Sequence, residues 1–265
     1  MELMENYSDT RAIRAMRDVS IGTSETEVRV DLAACFRLVA LYAMTDLASN
    51  HITARVPGRH DHFFINPFGM LYEEVTASSL YKIDLQGNVV EKPDVPYGVN
   101  TVGYVIHSAI HAARPDVVCV LHTHTRAGVA VSCMEGGLQR VHQNAMLIAN
   151  EVVYHDYEGP VTSGSERRSL VRDLGSKKAM VMRNHGLLTC GGSVAEAFYY
   201  MYRLNAACQI QVDLMASGAR IRQPSAQSLA AMDEFLEKHM DVTQGNLEWP
   251  SLKRKLDRVL PGYEL

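Results

Sequence analysis

Hydrophobic and polar positions change their period several times along this chain, and each change marks an element. Ser24 and Glu27 form a capping-box pattern ahead of Leu32, Cys35, Phe36, Val39, Leu41, Tyr42 and Ala43, which follow helical spacing. Between Ile52 and Val90 the period shortens. Ile52 to Val56, His62 to Ile65, Leu80 to Leu85 and Val89-Val90 are β-rich pieces, separated by turn signals at Pro57-Gly58, Asn66-Pro67, Phe68-Gly69 and Gln86-Gly87-Asn88. Val102, Ile106, Ala109, Ile110 and Ala113 predict a helix over Val99 to Ala113, stopped at Arg114-Pro115. The apolar run Val117 to Leu121 then predicts a strand.

Further on, the pattern predicts a helix or turn near Ala127 to Cys133, a strand around Glu151 to His155, a short helix near Ser165 to Leu174, and an apolar strand Ala179 to Met182. Ser193 with Glu196 repeats the capping-box pattern and opens a long helix to Met215, ended by Ser217-Gly218. Ala226 to Met240 and Leu252 to Leu260 read as two amphipathic helices. Strands alternating with helices make this an α/β chain. Residues 1–23 are polar and weakly patterned and read as an N-terminal arm, residues 24–220 as one domain, and residues 221–265 as a helical tail. No internal repeat or low-complexity tract divides it further.

Composition narrows the function. The chain has 265 residues, 47% hydrophobic and 21% charged, which suits a globular protein with a sizeable core. With 26 Lys and Arg against 30 Asp and Glu, the formal net charge is -4. No basic stripe is left for a phosphate backbone, so nucleic acid is not an expected partner. No stretch approaches the ~20 consecutive apolar residues of a membrane span, and the acidic start at Glu2, Glu5 and Asp9 is unlike a secretory leader. A cytoplasmic protein with no membrane partner is the expectation. The five cysteines are odd in number, scattered and mostly set in apolar segments, as reduced core thiols are.

The candidate chemistry lies in Leu121-His122-Thr123-His124-Thr125. Histidines spaced i, i+2 at the end of an apolar strand put both imidazoles on one face, a rigid mount for a divalent metal if a third ligand arrives. Asn184-His185-Gly186 supplies the best candidate, His185, with Asn184 orienting its loop. Eleven histidines make some i, i+2 pairs expected by chance, and His60 with His62 is one, read as loop or strand-edge chemistry beside Arg59 and Asp61.

The wider pattern resembles a known family. Ser49-Asn50-His51-Ile52, Ile65-Asn66-Pro67-Phe68-Gly69, Arg114-Pro115-Asp116 followed by Leu121 to Thr125, and Asn184-His185-Gly186-Leu187 followed by Ser193 to Ala197 have the order and spacing of the class II aldolase/adducin family. Asn66-Pro67-Phe68-Gly69, Thr76 to Leu80 and Tyr154 to Gly159 bring it closest to the adducin-like branch. The resemblance covers about residues 30 to 220. It implies a three-layer α/β/α sandwich around a mixed sheet, a homotetramer, and one divalent metal per subunit on His122, His124 and His185, zinc first, with iron(II) or manganese as alternatives.

Departures from the aldolase pattern are as informative as the matches. The family's sugar-phosphate aldolases move a proton with a glutamate whose position falls on Gly103, and glycine cannot do so. Asn50 of the substrate loop is kept. Phe68 replaces a turn hydroxyl ahead of Gly69, and Thr101-Val102 replaces a serine pair. These residues, with Gly103, predict a substrate without phosphate. Proton transfer then falls to His107 or to the cluster His142, Tyr154, His155, Asp156, Tyr157 and Glu158. Asp156 and Glu158 could equally be turn formers, and His107 or His111 helix-surface residues.

These features favour a metal-dependent lyase acting on a small hydroxy or keto acid by aldol cleavage or decarboxylation. An iron(II) oxygenase on the same histidines and a non-catalytic adducin-like interaction module are the alternatives. A shared site between subunits would take a tyrosine from a neighbour, with Tyr263 or the group Tyr199, Tyr200 and Tyr202 as candidates.

Overall fold

A computed structural model describes residues 24–100, 104–159, 164–239 and 244–265. The proposed arm, residues 1–23, and the positions Thr101, Val102 and Gly103 lie outside the described residues. Helix α1 (Glu25–Leu41) opens at Ser24, whose side chain accepts the Glu27 N–H while Glu27 reaches back to the Ser24 backbone, the full capping box. It ends at Leu41, before the expected Ala43, because Ala43 turns into the left-handed region at φ 53.

Eight strands make one sheet. They are β1 (His51–Arg55), β2 (His62–Ile65), β3 (Tyr81–Asp84), β4 (Val89–Glu91), β5 (Cys119–Thr123), β6 (Val152–His155), β7 (Ala179–Met182) and β8 (Gly186–Gly191), in the order β4-β3-β2-β1-β5-β8-β7-β6. Only β6 and β7 run parallel, so the sheet is mixed, as expected of the three-layer α/β/α class. Sequence patterning gave no strand at β8. Its run Gly186-Leu187-Leu188-Thr189-Cys190-Gly191 is buried throughout, paired on both sides, so no polar alternation reveals it.

The helices are α2 (Tyr104–Ala113), α3 (Arg126–Ser132), α4 (Gln143–Ile148), α5 (Gly164–Leu174), α6 (Val194–Ala216), α7 (Ala226–His239) and α8 (Trp249–Val259). Helix α2 is shorter than the predicted Val99 to Ala113. Val99 and Asn100 are not helical, and Val99 packs beside Phe63, Ile65, Tyr81 and Ile83. At α6, Ser193 accepts the Glu196 N–H, but Glu196 bonds the Gly192 N–H in place of Ser193's own, which is half of the expected box.

Alternation along the strands sorts the two faces. Ile52, Ala54, Cys119, Leu121, Val181 and Leu187 join a core with α1, α6 and α8, while Val120, Met180, Leu188 and Cys190 face α2 and α5. Trp249, Leu256 and Tyr263 of the tail belong to the first core. Arg37 is buried and donates to Val75 O, Leu260 O, Pro261 O and Gly262 O, fastening the chain end. Among the described residues no helix is long and apolar enough to cross a membrane.

Candidate metal centre

The sheet brings three histidines together at one end. His122 lies on β5 on the α2 face, and His124 follows where the chain leaves the strand toward α3. His185 sits in the tight connection between β7 and β8. Asn184 makes that turn at φ 56, a left-handed conformation that Asn tolerates better than most residues. Gly186 must be glycine, because a Cβ there would lie 2.5 Å from Thr123 O. With that clearance, β8 pairs with β5 and delivers His185 against the strand carrying the other two.

The ring nitrogens face one another. His122 Nε2 is 2.8 Å from His124 Nε2, which is 3.0 Å from His185 Nε2. The other nitrogens of His122 and His124 are engaged. His122 Nδ1 donates to Leu187 O at 2.9 Å, and His124 Nδ1 donates to Asp46 Oδ2 at 3.0 Å. A carbonyl and a carboxylate at Nδ1 assign the protons there, so the two Nε2 atoms meet as lone pairs. Neutral lone pairs at 2.8 Å repel each other. Protonation would relieve the repulsion, but burial opposes it by holding His122 well below the ordinary histidine pKa and lowering His185 to about 4, with the neighbouring imidazoles adding to both effects. A divalent cation among the three nitrogens satisfies them all. The residues therefore fit the metal that the donor set implies, and no other such cluster of His, Cys, Asp or Glu occurs among the described residues.

Asp46 and His51 were not singled out from the sequence. Nothing in spacing marks Asp46, which stands in the loop after α1. His51 was legible in principle: along β1, His51, Thr53 and Arg55 alternate with Ile52 and Ala54, all buried, so one face of the strand is both polar and covered. That face forms a layer under α2. His51 pairs in register with His122, their rings 5.6 Å apart, and its ring lies 4.4 Å from that of His107. Thr53 Oγ1 is 2.8 Å from both His107 Nδ1 and His111 Nε2, and Arg55 donates to Val117 O, His60 O, His111 O and Arg114 O.

Comparison with known proteins gives the architecture a family. The model for the class II aldolase and adducin N-terminal domain matches residues 30–212. The chain belongs to that family. An aldolase II superfamily structure from Pseudomonas syringae superposes with a TM-score of 0.87 at 44% identity, covering 95% of this chain and 100% of that one. An L-fuculose 1-phosphate aldolase from Glaciozyma antarctica superposes with a TM-score of 0.79 at 25% identity, covering 92% and 96%. Rattus norvegicus alpha-adducin is 46% identical over 206 residues, 77% of this chain but 28% of adducin. The family thus contains lyases and adducins, and this chain is similar to both.

Within this class II aldolase/adducin chain the other expected site residues fall into two groups. Asn50 is buried at the start of β1, beside His51, and both amide atoms lack partners among the described residues. His107 is buried one ring behind His51. Tyr157, near Asp156 and Glu158 in the exposed segment after β6, places its ring 6.2 Å from that of His185. By contrast, His142 caps α4, and Tyr154 accepts the Leu138 N–H beneath the Arg183 guanidinium. Neither touches the three histidines. Phe68 is 49% exposed and bridges to Gly98, while Gly69, at φ 106, approaches the Tyr97 ring. Phe68 is thus an exposed residue. Tyr263 is buried with its hydroxyl on Asp257, and Tyr200 is core, so neither stands free at the surface.

A test of Asp46 follows from its contact. Asp46→Asn keeps the size but removes the charge that fixes the His124 tautomer, and is expected to weaken zinc binding by about 10- to 100-fold in a chelator competition, with unchanged circular dichroism.

Proposed function

We propose that this protein is a metal-dependent carbon-carbon lyase for a small hydroxy or keto acid without phosphate. The observation that carries the reading is the convergence of three Nε2 atoms, two of them on rings whose Nδ1 is already committed to Leu187 O and Asp46, since that arrangement has its use in holding a cation. His122, His124 and His185 would hold it, zinc first and iron(II) or manganese otherwise. When bound, such a metal serves as a Lewis acid toward the carbonyl of an α-hydroxy or α-keto acid. Asn50, its amide buried and unsatisfied at the same end of the sheet, is suited to a substrate oxygen.

The direct test is metal analysis of protein purified without a histidine tag, followed by anaerobic turnover of a hydroxy- and keto-acid panel. Stoichiometric metal with oxygen-independent cleavage supports the lyase, whereas oxygen uptake selects the iron oxygenase. A second reading, a non-catalytic interaction module, is favoured by the 46% identity to alpha-adducin, which exceeds that to the fuculose-phosphate aldolase. Absence of stoichiometric metal selects it.

Substrate chemistry gives a further expected outcome. Two hydroxyl-bearing positions of the phosphate-binding pattern are Phe68 and Val102 here, so a phosphate bound in that pattern would lack two of its donors. A phosphorylated acid is therefore expected to have a kcat/KM at least ~10-fold below its unphosphorylated counterpart in parallel assays. The opposite order would remove the phosphate-free assignment.

A further inference from the structure

A second organised pair stands at the metal end of the sheet. His155 closes β6, is 3% exposed, and its Nδ1 lies 2.8 Å from Asp173 Oδ2 on α5. The carboxylate fixes the proton on Nδ1, so Nε2 carries the lone pair. That Nε2 is buried and meets no hydrogen-bond partner among the described residues. A buried lone pair without a donor is unfavourable, which reserves the position for a group that brings a proton.

The pair is firmly held. Arg172 binds the other oxygen of Asp173 at 2.8 Å, and Arg183 N donates to His155 O at 2.8 Å. Its position relative to the metal candidates follows from the sheet. His155 pairs in register with Met182, and His185 follows three residues later. Tyr157, two residues beyond His155, brings its ring to the His185 ring, and His155 also acts electrostatically on His185. No ring contact joins His155 to the three histidines, so it lies beside the centre without belonging to it.

We infer that His155, oriented by Asp173, is the proton-transfer group of this site, in the role that Gly103 cannot fill. The inference rests on the lyase reading. Nε2 takes a proton from the carbon next to the substrate carbonyl. The C–H electron pair becomes the new C–C π bond, and the carbonyl π pair moves to oxygen, giving an enolate. His155 is then an imidazolium facing the Asp173 carboxylate, and returning the proton to that carbon, or to the alkoxide formed when the enolate carbon adds to an aldehyde carbonyl, restores it. Because Nε2 is closed to solvent, substrate reaches it only when the packing over it opens. Asp173 touches no substrate and is a positioning residue.

A plain structural reading, a clamp joining β6 to α5, predicts different results. The test uses the full chain loaded with zinc, with hydroxyacetone and pyruvate as probes in D₂O, and follows loss of their C–H signals by proton NMR. Wild-type protein is expected to exchange these protons, and His155→Gln to do so at least ~100-fold more slowly. Zinc affinity should stay within about threefold of wild type in both variants, far less than the 10- to 100-fold loss expected of an outer-shell ligand partner. In the metal-free protein a low-field imidazole N–H resonance should be present and should vanish in Asp173→Asn, a readout independent of turnover. If His155→Gln does not fold, Asp173→Asn carries the test and should slow exchange at least ~10-fold. Exchange at wild-type rate in the folded variant overturns the inference and leaves the lyase reading standing. No exchange by the wild-type protein overturns both.

Discussion

Replacing His122 by alanine is expected to lower zinc affinity by well over 100-fold and to abolish turnover, with the secondary structure retained. The magnitude follows by comparison, since loss of an outer partner such as Asp46 already costs about 10- to 100-fold, and loss of a direct nitrogen ligand must cost more. His122 is the ligand on which the effect should be largest. It is the only one of the three that is fully buried, it is fixed by Leu187 O, and its strand pairs with β1 and β8 on both sides, so its position is the most rigidly set. His124, in contrast, lies past the end of β5 and leans on an exposed carboxylate. Chelator competition and metal analysis read the affinity, and far-ultraviolet circular dichroism reads the fold. Full zinc occupancy in the folded variant would locate any metal centre elsewhere and remove the basis of the lyase reading.

Local pattern told a great deal about this chain because its α-helices carry their own signals. Ser24 with Glu27, Arg114-Pro115 and Ser217-Gly218 bound helices within a few residues of where the structure starts and stops them. Strand β8 stayed hidden because a strand buried on both faces has no alternation to display. The three histidines were legible from spacing and family pattern, since strand geometry alone aligns His122 with His124 and the Asn184-His185-Gly186 turn supplies the third. Asp46 and Asp173 were not. Asp46 reaches His124 across 78 residues of sequence and Asp173 reaches His155 across 18, contacts that only the closing of the sheet and the docking of α5 create.

Acid should destabilise the metal-free protein steeply below pH 6.5. His107 and His111 are entirely buried between β1 and α2, and burial is the largest cause of their depressed pKa values. His51, His111 and His122 add to the effect at His107, and Arg55 adds to it at His111. In the unfolded chain both titrate near the ordinary value of about 6.5. Above that pH both states are neutral and folding gains or loses nothing from them. Below it the unfolded chain takes up protons that the folded protein refuses, so stability is present above pH 6.5 and is lost as pH falls. Each group contributes a slope of about 1.4 kcal/mol per pH unit while its folded form stays neutral, together nearly 3, against a total stability of about 5–15 kcal/mol for a typical domain. Urea unfolding in the presence of a chelator at pH 7.5, 6.5, 5.8 and 5.2 measures the slope. His111→Phe should roughly halve the contribution of this pair, because the ring at that position already stacks on Phe63 with centroids 4.2 Å apart, so an apolar ring can take its place while Thr53 keeps His107. A flat profile between pH 6.5 and 5.2 would mean that the folded protein accepts these protons, and that the polar layer behind the metal centre is wetter than its burial indicates.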